Sequence, residues 1–340
     1  MNAKNLVERE NHTTKETAVI SSEKTANYVY IVGHGHSGTT LLELLLAQHP
    51  GIVATGELEK LSLQLARDDG VPYFGLCSCE KRPHECFFWS DVLNAIKSKY
   101  GIDIVRSPFN FRVSDIGREE DFGIRSFRHW LLRKYCRLWR TLGYESESLF
   151  IQKASFFSLF PRRWALNRLF VVDAIRHITG AKTVIDSSKD PISMVDLYKL
   201  QQGNMKVIFI TRDVRGNVWS YAKNGMPISI AAKNWNKVNS RIRKCLGQIA
   251  KSDWTQLKYE DLCADTVKVT GELWEFLGHE NFNFKENLQT RQWHTIGGNK
   301  IRKKSLTNIM EDLSWHQHIS IRDLELINRI AGREASTLGY

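Results

Sequence analysis

The stretch YVYIVGHGHSGTTLLELLLAQ, residues 28–48, decides the fold of this chain. An apolar run from Tyr28 to Val32 leads into Gly33-His34-Gly35-His36-Ser37-Gly38-Thr39-Thr40, and Leu41 to Gln48 then reads as a helix. The pattern is strand, glycine loop, helix N-terminus. At such a junction the first backbone N–H groups of the helix lack intrahelical partners, and the positive end of the macrodipole converges on them. A phosphate or sulfate ester fits there, which makes Gly35, His36, Ser37, Gly38, Thr39 and Thr40 candidate anion-binding residues.

The spacing is close to the nucleotide loop G-x-x-x-x-G-K-[ST], with one departure. Thr39 stands where that pattern requires lysine, and Thr40 fills the Ser/Thr place. Hydrolases of ATP or GTP neutralise a multiply charged terminal phosphate with that lysine and magnesium. A sulfuryl group carries less charge and can move without a metal, so the missing lysine points towards sulfate chemistry. A glycine turn between any strand and helix is the bland alternative.

Two further segments have strand character. TVIDSSKDP, residues 183–191, ends in Asp186, Ser187, Ser188 and Lys189, and KVIFI, residues 206–210, runs into TRDVRGNVWSYAKNG. Between them Ile192, Val195, Leu197, Tyr198 and Leu200 mark a connecting helix, which makes one βαβ unit. Polar residues at the carboxyl ends of such strands are where open α/β sheets place ligands. Arg212 closes one strand, and Ser220 falls in the second turn of a helix expected from Asn217. A guanidinium with a hydroxyl is sound phosphate-binding chemistry.

The segment HSGTTLLELLLAQHPGIVATGE, residues 36–57, resembles the 5'-phosphosulfate loop of sulfotransferases that use 3'-phosphoadenosine 5'-phosphosulfate (PAPS). It is most similar to bacterial and tyrosylprotein-type members, in which R-S-G-T-T-L is followed by H-P and G-E. His36 occupies the usual Arg or Lys position. The resemblance implies an α/β, P-loop-like three-layer fold with a central parallel sheet. It also implies that Arg212 and Ser220 hold the donor's 3'-phosphate, that Lys189 stabilises the sulfuryl group in transfer, and that Glu57 is the base, with Glu59 as fallback because the alignment slips by one residue. QLKYEDL, residues 256–262, and HTIGGNKIRKK, residues 294–304, are similar to later family segments. The second would close over the nucleotide, with Lys300 and Arg302 as donor contacts. The implied reaction needs PAPS, a hydroxyl-bearing acceptor and no metal.

The composition is compatible with this and excludes little. Lys and Arg number 48 against 37 Asp and Glu, a formal net charge of +11. That suits polyanionic ligands, and it also suits nucleic acid. The rival classes are therefore a P-loop kinase or NTPase, with Asp186 as the nearest imitation of a magnesium ligand, and a non-catalytic protein binding nucleic acid or an anionic surface. No apolar run is long enough to span a bilayer. Residues 1–27 read as a disordered polar tail without a secretion signal, so a cytoplasmic location is expected. One domain, 28–340, is expected, with a helical insertion at about 106–178 whose Phe127, Trp130, Leu131, Tyr135, Leu138 and Leu142 share a face.

Three of the six cysteines crowd into CSCEKRPHEC, residues 77–86. Cys77, Cys79 and Cys86 with His84 could fill a tetrahedral zinc site, although C-x-C is tighter than common finger spacings. Free thiols are the default reading, and no catalytic role follows for the cluster.

Overall fold

The computed structural model describes residues 25–66, 76–106, 108, 111–114, 159–201, 203–282, 292–303, 306 and 309–340. The expected tail up to residue 24, and the face from Phe127 to Leu142, lie outside the described residues.

A five-stranded sheet forms the centre. Its strands are β1 (Tyr28–Val32), β2 (Ile52–Ala54), β3 (Thr183–Asp186), β4 (Met205–Thr211) and β5 (Trp254–Lys258), in the order β2-β3-β1-β4-β5. Every pairing is parallel, with Tyr28 opposite Val184 on one side and Met205 on the other. All five residues of β1 are buried, as expected of a central parallel strand covered on both faces.

Alternation along the strands divides the core into two layers. Tyr28, Tyr30 and Val32 of β1, with Val207 and Phe209 of β4, face one apolar cluster, and Val29, Ile31, Ile208 and Ile210 face the other. The first cluster receives α3 (Phe87–Tyr100), α4 (Leu159–Thr179), α5 (Pro191–Leu200), α6 (Val214–Ala222), α7 (Ile228–Leu246) and α11 (Ile321–Thr337). The second receives α1 (Thr39–Leu46), α8 (Tyr259–Ala264) and α9 (Thr266–Phe276). Short α2 (Leu61–Ala66) and α10 (Trp315–His318) complete the described helices. This is the three-layer α/β fold expected from the sequence. Of the expected helical insertion, Leu159–Thr179 is a described helix.

The largest side chains serve the core. Trp89, Trp235 and Trp274 are fully buried, and each indole N–H donates to a backbone carbonyl: His294 O at 2.8 Å, Arg212 O at 3.1 Å and Leu46 O at 3.0 Å. None of the described helices is long and apolar enough to cross a membrane.

The strand order positions the site. From β1 the chain moves to β2 on one side of the sheet, and from β4 it moves to β5 on the other, while β1 and β4 are neighbours. Their carboxyl ends therefore flank a crevice at the topological switch point.

Candidate active site

The loop after β1 is built around its helix. Gly38 takes a left-handed backbone with φ of 90°, and no side chain caps α1, so the first-turn N–H groups are left to a ligand. A Cβ on Gly38 would lie 2.6 Å from the Tyr259 ring, so any other residue would have to displace that ring and bear a strained backbone. Asn217 holds the loop from across the crevice. Its amide donates to Gly35 O at 2.8 Å and to Ser37 Oγ at 3.2 Å, and its Oδ1 meets His34 Nδ1 at 2.9 Å. The helix α6 starts at Val214 rather than Asn217, because the Asp213 carboxylate accepts the Arg215 N–H at 2.7 Å and caps it.

Arg212 joins the two loops. One terminal nitrogen of its guanidinium donates to His36 O and to Ser220 Oγ, both at 3.2 Å, and the other donates to Asp312 O at 3.1 Å. Its plane lies over Tyr259, 4.5 Å from the ring centre, and the residue is buried. Arg212, Ser220 and the β1 loop thus converge in one crevice.

Lys189 and Glu57 meet at the third strand end. The Lys189 ammonium pairs with one carboxylate oxygen of Glu57, and the Lys60 ammonium pairs with the other. Burial pushes the Glu57 carboxyl up, but the two ammonium groups outweigh it and hold the group below its ordinary value. Glu57 is therefore ionised. Glu59 differs: burial drives its carboxyl up to about 8, against the pull of Arg168, and one of its oxygens is buried without a partner. The carboxylates of Glu57, Asp190 and Asp186 push in the same direction.

His36 is exposed at the crevice mouth, its ring edge-on to Tyr221 at 4.6 Å. Its imidazole is held below the ordinary value, first by partial loss of hydration at the crevice mouth and then by the charges of Lys189, Arg212 and Lys223. Among the described residues, the non-glycine positions with positive φ are His36, Glu80 and Lys189. Such backbone costs about 1–3 kcal/mol each and collects where function over-determines the structure. Two of the three lie here.

The later loop supplies the wall. Ile296 bridges to Gly56, Glu57 N donates to Ile296 O at 2.6 Å, and Asn299 N donates to Thr40 Oγ1 at 3.1 Å. Arg302 is buried, with one terminal nitrogen on Thr295 O at 2.7 Å and the other on Leu76 O at 3.1 Å. As placed, it braces this loop against the Leu76–Cys79 turn, while Lys300 is exposed at the start of a short 3-10 turn.

One organising residue, Glu43, had no sequence signal. Glu43 of α1 is fully buried, accepting from Thr55 N at 2.9 Å and from the Ser187 hydroxyl at 2.7 Å, and burial raises its carboxyl to about 7. It ties α1 to the Glu57 and Ser187 turns. Asp186 is committed to a buried network with Tyr28 OH at 2.6 Å, Arg168 at 3.3 Å and Ser188. That leaves it no coordination for magnesium and removes the support for the NTPase rival. His84, the fourth residue of the zinc alternative, is placed elsewhere. His84 is exposed and faces Glu85 at 3.9 Å, whereas Cys77, Cys79 and Cys86 meet His294. The chain returns to the cysteines only after two hundred residues, a distance at which spacing rules are blind.

The description Sulfotransferase family belongs to the sequence profile that matches residues 29–98, from β1 through Glu57 into α3. Over this segment the chain is similar to sulfotransferases, and the loop that the profile covers is the one just described. Among solved structures it is similar to a sulfotransferase domain from the curacin biosynthetic pathway, at 17% identity over 92% of this chain and 97% of that one, with a TM-score of 0.48. A sulfotransferase domain of the Synechococcus PCC 7002 olefin synthase has 18% identity over 93% and 96%, and a TM-score of 0.48. A sulfotransferase from Alicyclobacillus acidocaldarius has 12% identity over 93% and 99%, and a TM-score of 0.40. No curated protein matches the chain by sequence.

Proposed function

We propose that the protein transfers a sulfuryl group from PAPS to an acceptor hydroxyl, releasing adenosine 3',5'-bisphosphate (PAP). The observation that carries this reading is the single Arg212 guanidinium bonded to both His36 O and Ser220 Oγ. It brings a helix N-terminus and a second phosphate-type site to one crevice, matching a donor that carries anionic groups at two places. The backbone N–H groups from Ser37 to Thr40 suit the 5'-phosphosulfate, that of Ser37 being shared with His34 O at 3.2 Å, and Arg212 with Ser220 suits the 3'-phosphate. Gly35 and Gly38 let the backbone approach, and Lys300 and Arg302 belong to the loop that would close over the nucleotide.

In transfer, the acceptor oxygen bonds to sulfur as the bond from sulfur to the 5'-phosphate oxygen breaks. Glu57 takes the acceptor proton. Lys189, with His36 if protonated in the complex, meets the charge gathering on the leaving oxygen. The Lys189–Glu57 pair supports a division of labour, because a lysine drawn to the donor would release Glu57 to act as base. The acceptor is a carbohydrate, a lipid or another small hydroxyl compound. The five described cysteines form no disulfide with one another, which accords with a cytoplasmic setting.

Thermal shift with PAP, ATP and an oligonucleotide tests the reading. PAP should stabilise the native state, by about 2.7 kcal/mol at a hundredfold excess over Kd, and Arg212→Ala should abolish most of that shift, with Ser220→Ala losing less. Stabilisation by ATP or the oligonucleotide but not by PAP would sink it. Labelled PAPS with a host extract would then reveal the acceptor class.

A further inference from the structure

Cys77 and Cys79 lie on the turn before α3, Cys86 directly precedes that helix, and His294 lies on the loop that walls the crevice. One ligand atom from each falls within 4.8 Å of all the others. Cys86 Sγ is 3.8 Å from Cys77 Sγ and 3.3 Å from His294 Nδ1, and Cys77 Sγ is 3.9 Å from the same nitrogen. Tetrahedral zinc, with bonds of about 2.3 Å to sulfur and about 2.0–2.1 Å to nitrogen, sets S···S near about 3.8 Å and S···N near about 3.6 Å. The observed separations bracket those values. Three thiols and an imidazole exclude calcium and magnesium, which take oxygen ligands.

The surroundings aim the ligands. Ser78, between two of the cysteines, donates its N–H to Thr295 O at 3.0 Å and its hydroxyl to Trp293 O at 2.6 Å, and it accepts the Thr295 N–H at 2.8 Å. Trp89 holds the His294 carbonyl at 2.8 Å. Phe88 stacks on the His294 ring at 5.6 Å and Phe87 meets it edge-on at 4.4 Å. The turn itself closes through Cys77 N to Lys81 O at 2.9 Å, with Glu80 in the left-handed region at φ 68°.

We propose that Cys77, Cys79, Cys86 and His294 bind one structural zinc ion that fastens the 292–303 loop to the N-terminus of α3. Four protein ligands leave no open position, so the metal takes no part in the chemistry. Two residues beyond His294, Ile296 makes the contact with Gly56 and Glu57, so the clamp sets the crevice wall.

Metal content of the full chain, purified from zinc-supplemented cells without chelator, tests this independently of any activity. About one zinc per chain is expected, released when a mercurial titrates the thiols. Cobalt(II) replacement should give the intense visible bands and the sulfur-to-cobalt charge transfer of a tetrahedral thiolate site. Cys79→Ser and His294→Ala should lose the metal, His294→Cys should retain it with stronger charge transfer, and His84→Ala should keep it unchanged. Wild-type protein without stoichiometric zinc and without the tetrahedral cobalt spectrum overturns the proposal, and so does a full complement of zinc in both Cys79→Ser and His294→Ala. The cobalt spectrum needs no variant, so a misfolded mutant leaves the test intact. Loss of PAP affinity on zinc removal is a second readout, and that consequence alone rests on the donor reading above.

Discussion

At the scale of single residues, two carboxylates two positions apart live in opposite electrostatic settings. Glu57 is ionised between Lys189 and Lys60, while Glu59 is pushed up to about 8 by burial. Only the first is paired with a group proposed to meet the donor. Glu57→Gln should therefore lower turnover by about 100- to 10,000-fold with PAP affinity nearly unchanged. Single-turnover rates checked beside Glu59→Gln decide the matter, since an inactive Glu59 variant and an active Glu57 variant would exchange the two roles. His36 makes a second prediction. In the donor-free protein, partial loss of hydration and three nearby cations disfavour its charge. A polyanion bound beside it pulls the other way, so PAP binding should take up protons and weaken as pH rises above the lowered value of the free imidazole. Calorimetry in buffers of different ionisation enthalpy measures that uptake. His36→Asn should reduce it, and equal uptake in the variant would make His36 only a loop residue.

At the scale of elements, the crevice depends on a contact between two turns rather than on a strand pair. Gly56 has φ 78°, and a Cβ there would fall 2.1 Å from Ile296 O and 2.7 Å from Ile296 N. A methyl group cannot be accommodated without parting the 292–303 loop from the Glu57 turn. Gly56→Ala should cost about 1–3 kcal/mol in stability and weaken PAP binding, with the helix content by circular dichroism retained. Chemical denaturation with parallel PAP titration would show it. An alanine variant with native affinity would mean that the loop does not shape the donor site.

At the scale of the whole molecule, a buried acid in the first helix couples stability to pH. Glu43 has a folded-state value of about 7, above the ordinary carboxyl value of 4.5, so the folded chain holds a proton that the unfolded chain has lost. The stability it contributes is full below about pH 4.5 and is lost as pH climbs through about 7. Glu43→Gln copies the protonated acid. It should match wild type near pH 4 and become more stable by about 3 kcal/mol near pH 8, a difference that melting curves across pH would reveal. Parallel curves at both pH values would mean that Glu43 does not titrate in this window. Glu59 shifts in the same direction, so it leaves part of the slope in the variant.

What the sequence by itself determined was local. The run from Tyr28 to Thr40 announces strand, loop and helix because apolar alternation, glycine placement and a helix start are written in adjacent residues. The strand end at Arg212 was legible for the same reason, whereas the eight-residue step to Ser220 was noticed through the resemblance to sulfotransferases. Tertiary structure alone decided which distant residues share a site. It brought Arg212 to the carbonyl of His36, committed Asp186 to Arg168, split Glu57 from Glu59 by their neighbours' charges, and put His294 instead of His84 beside the three cysteines. Each outcome follows from burial and from contacts across the sheet, which depend on strand order, and strand order is not encoded in any local run of residues.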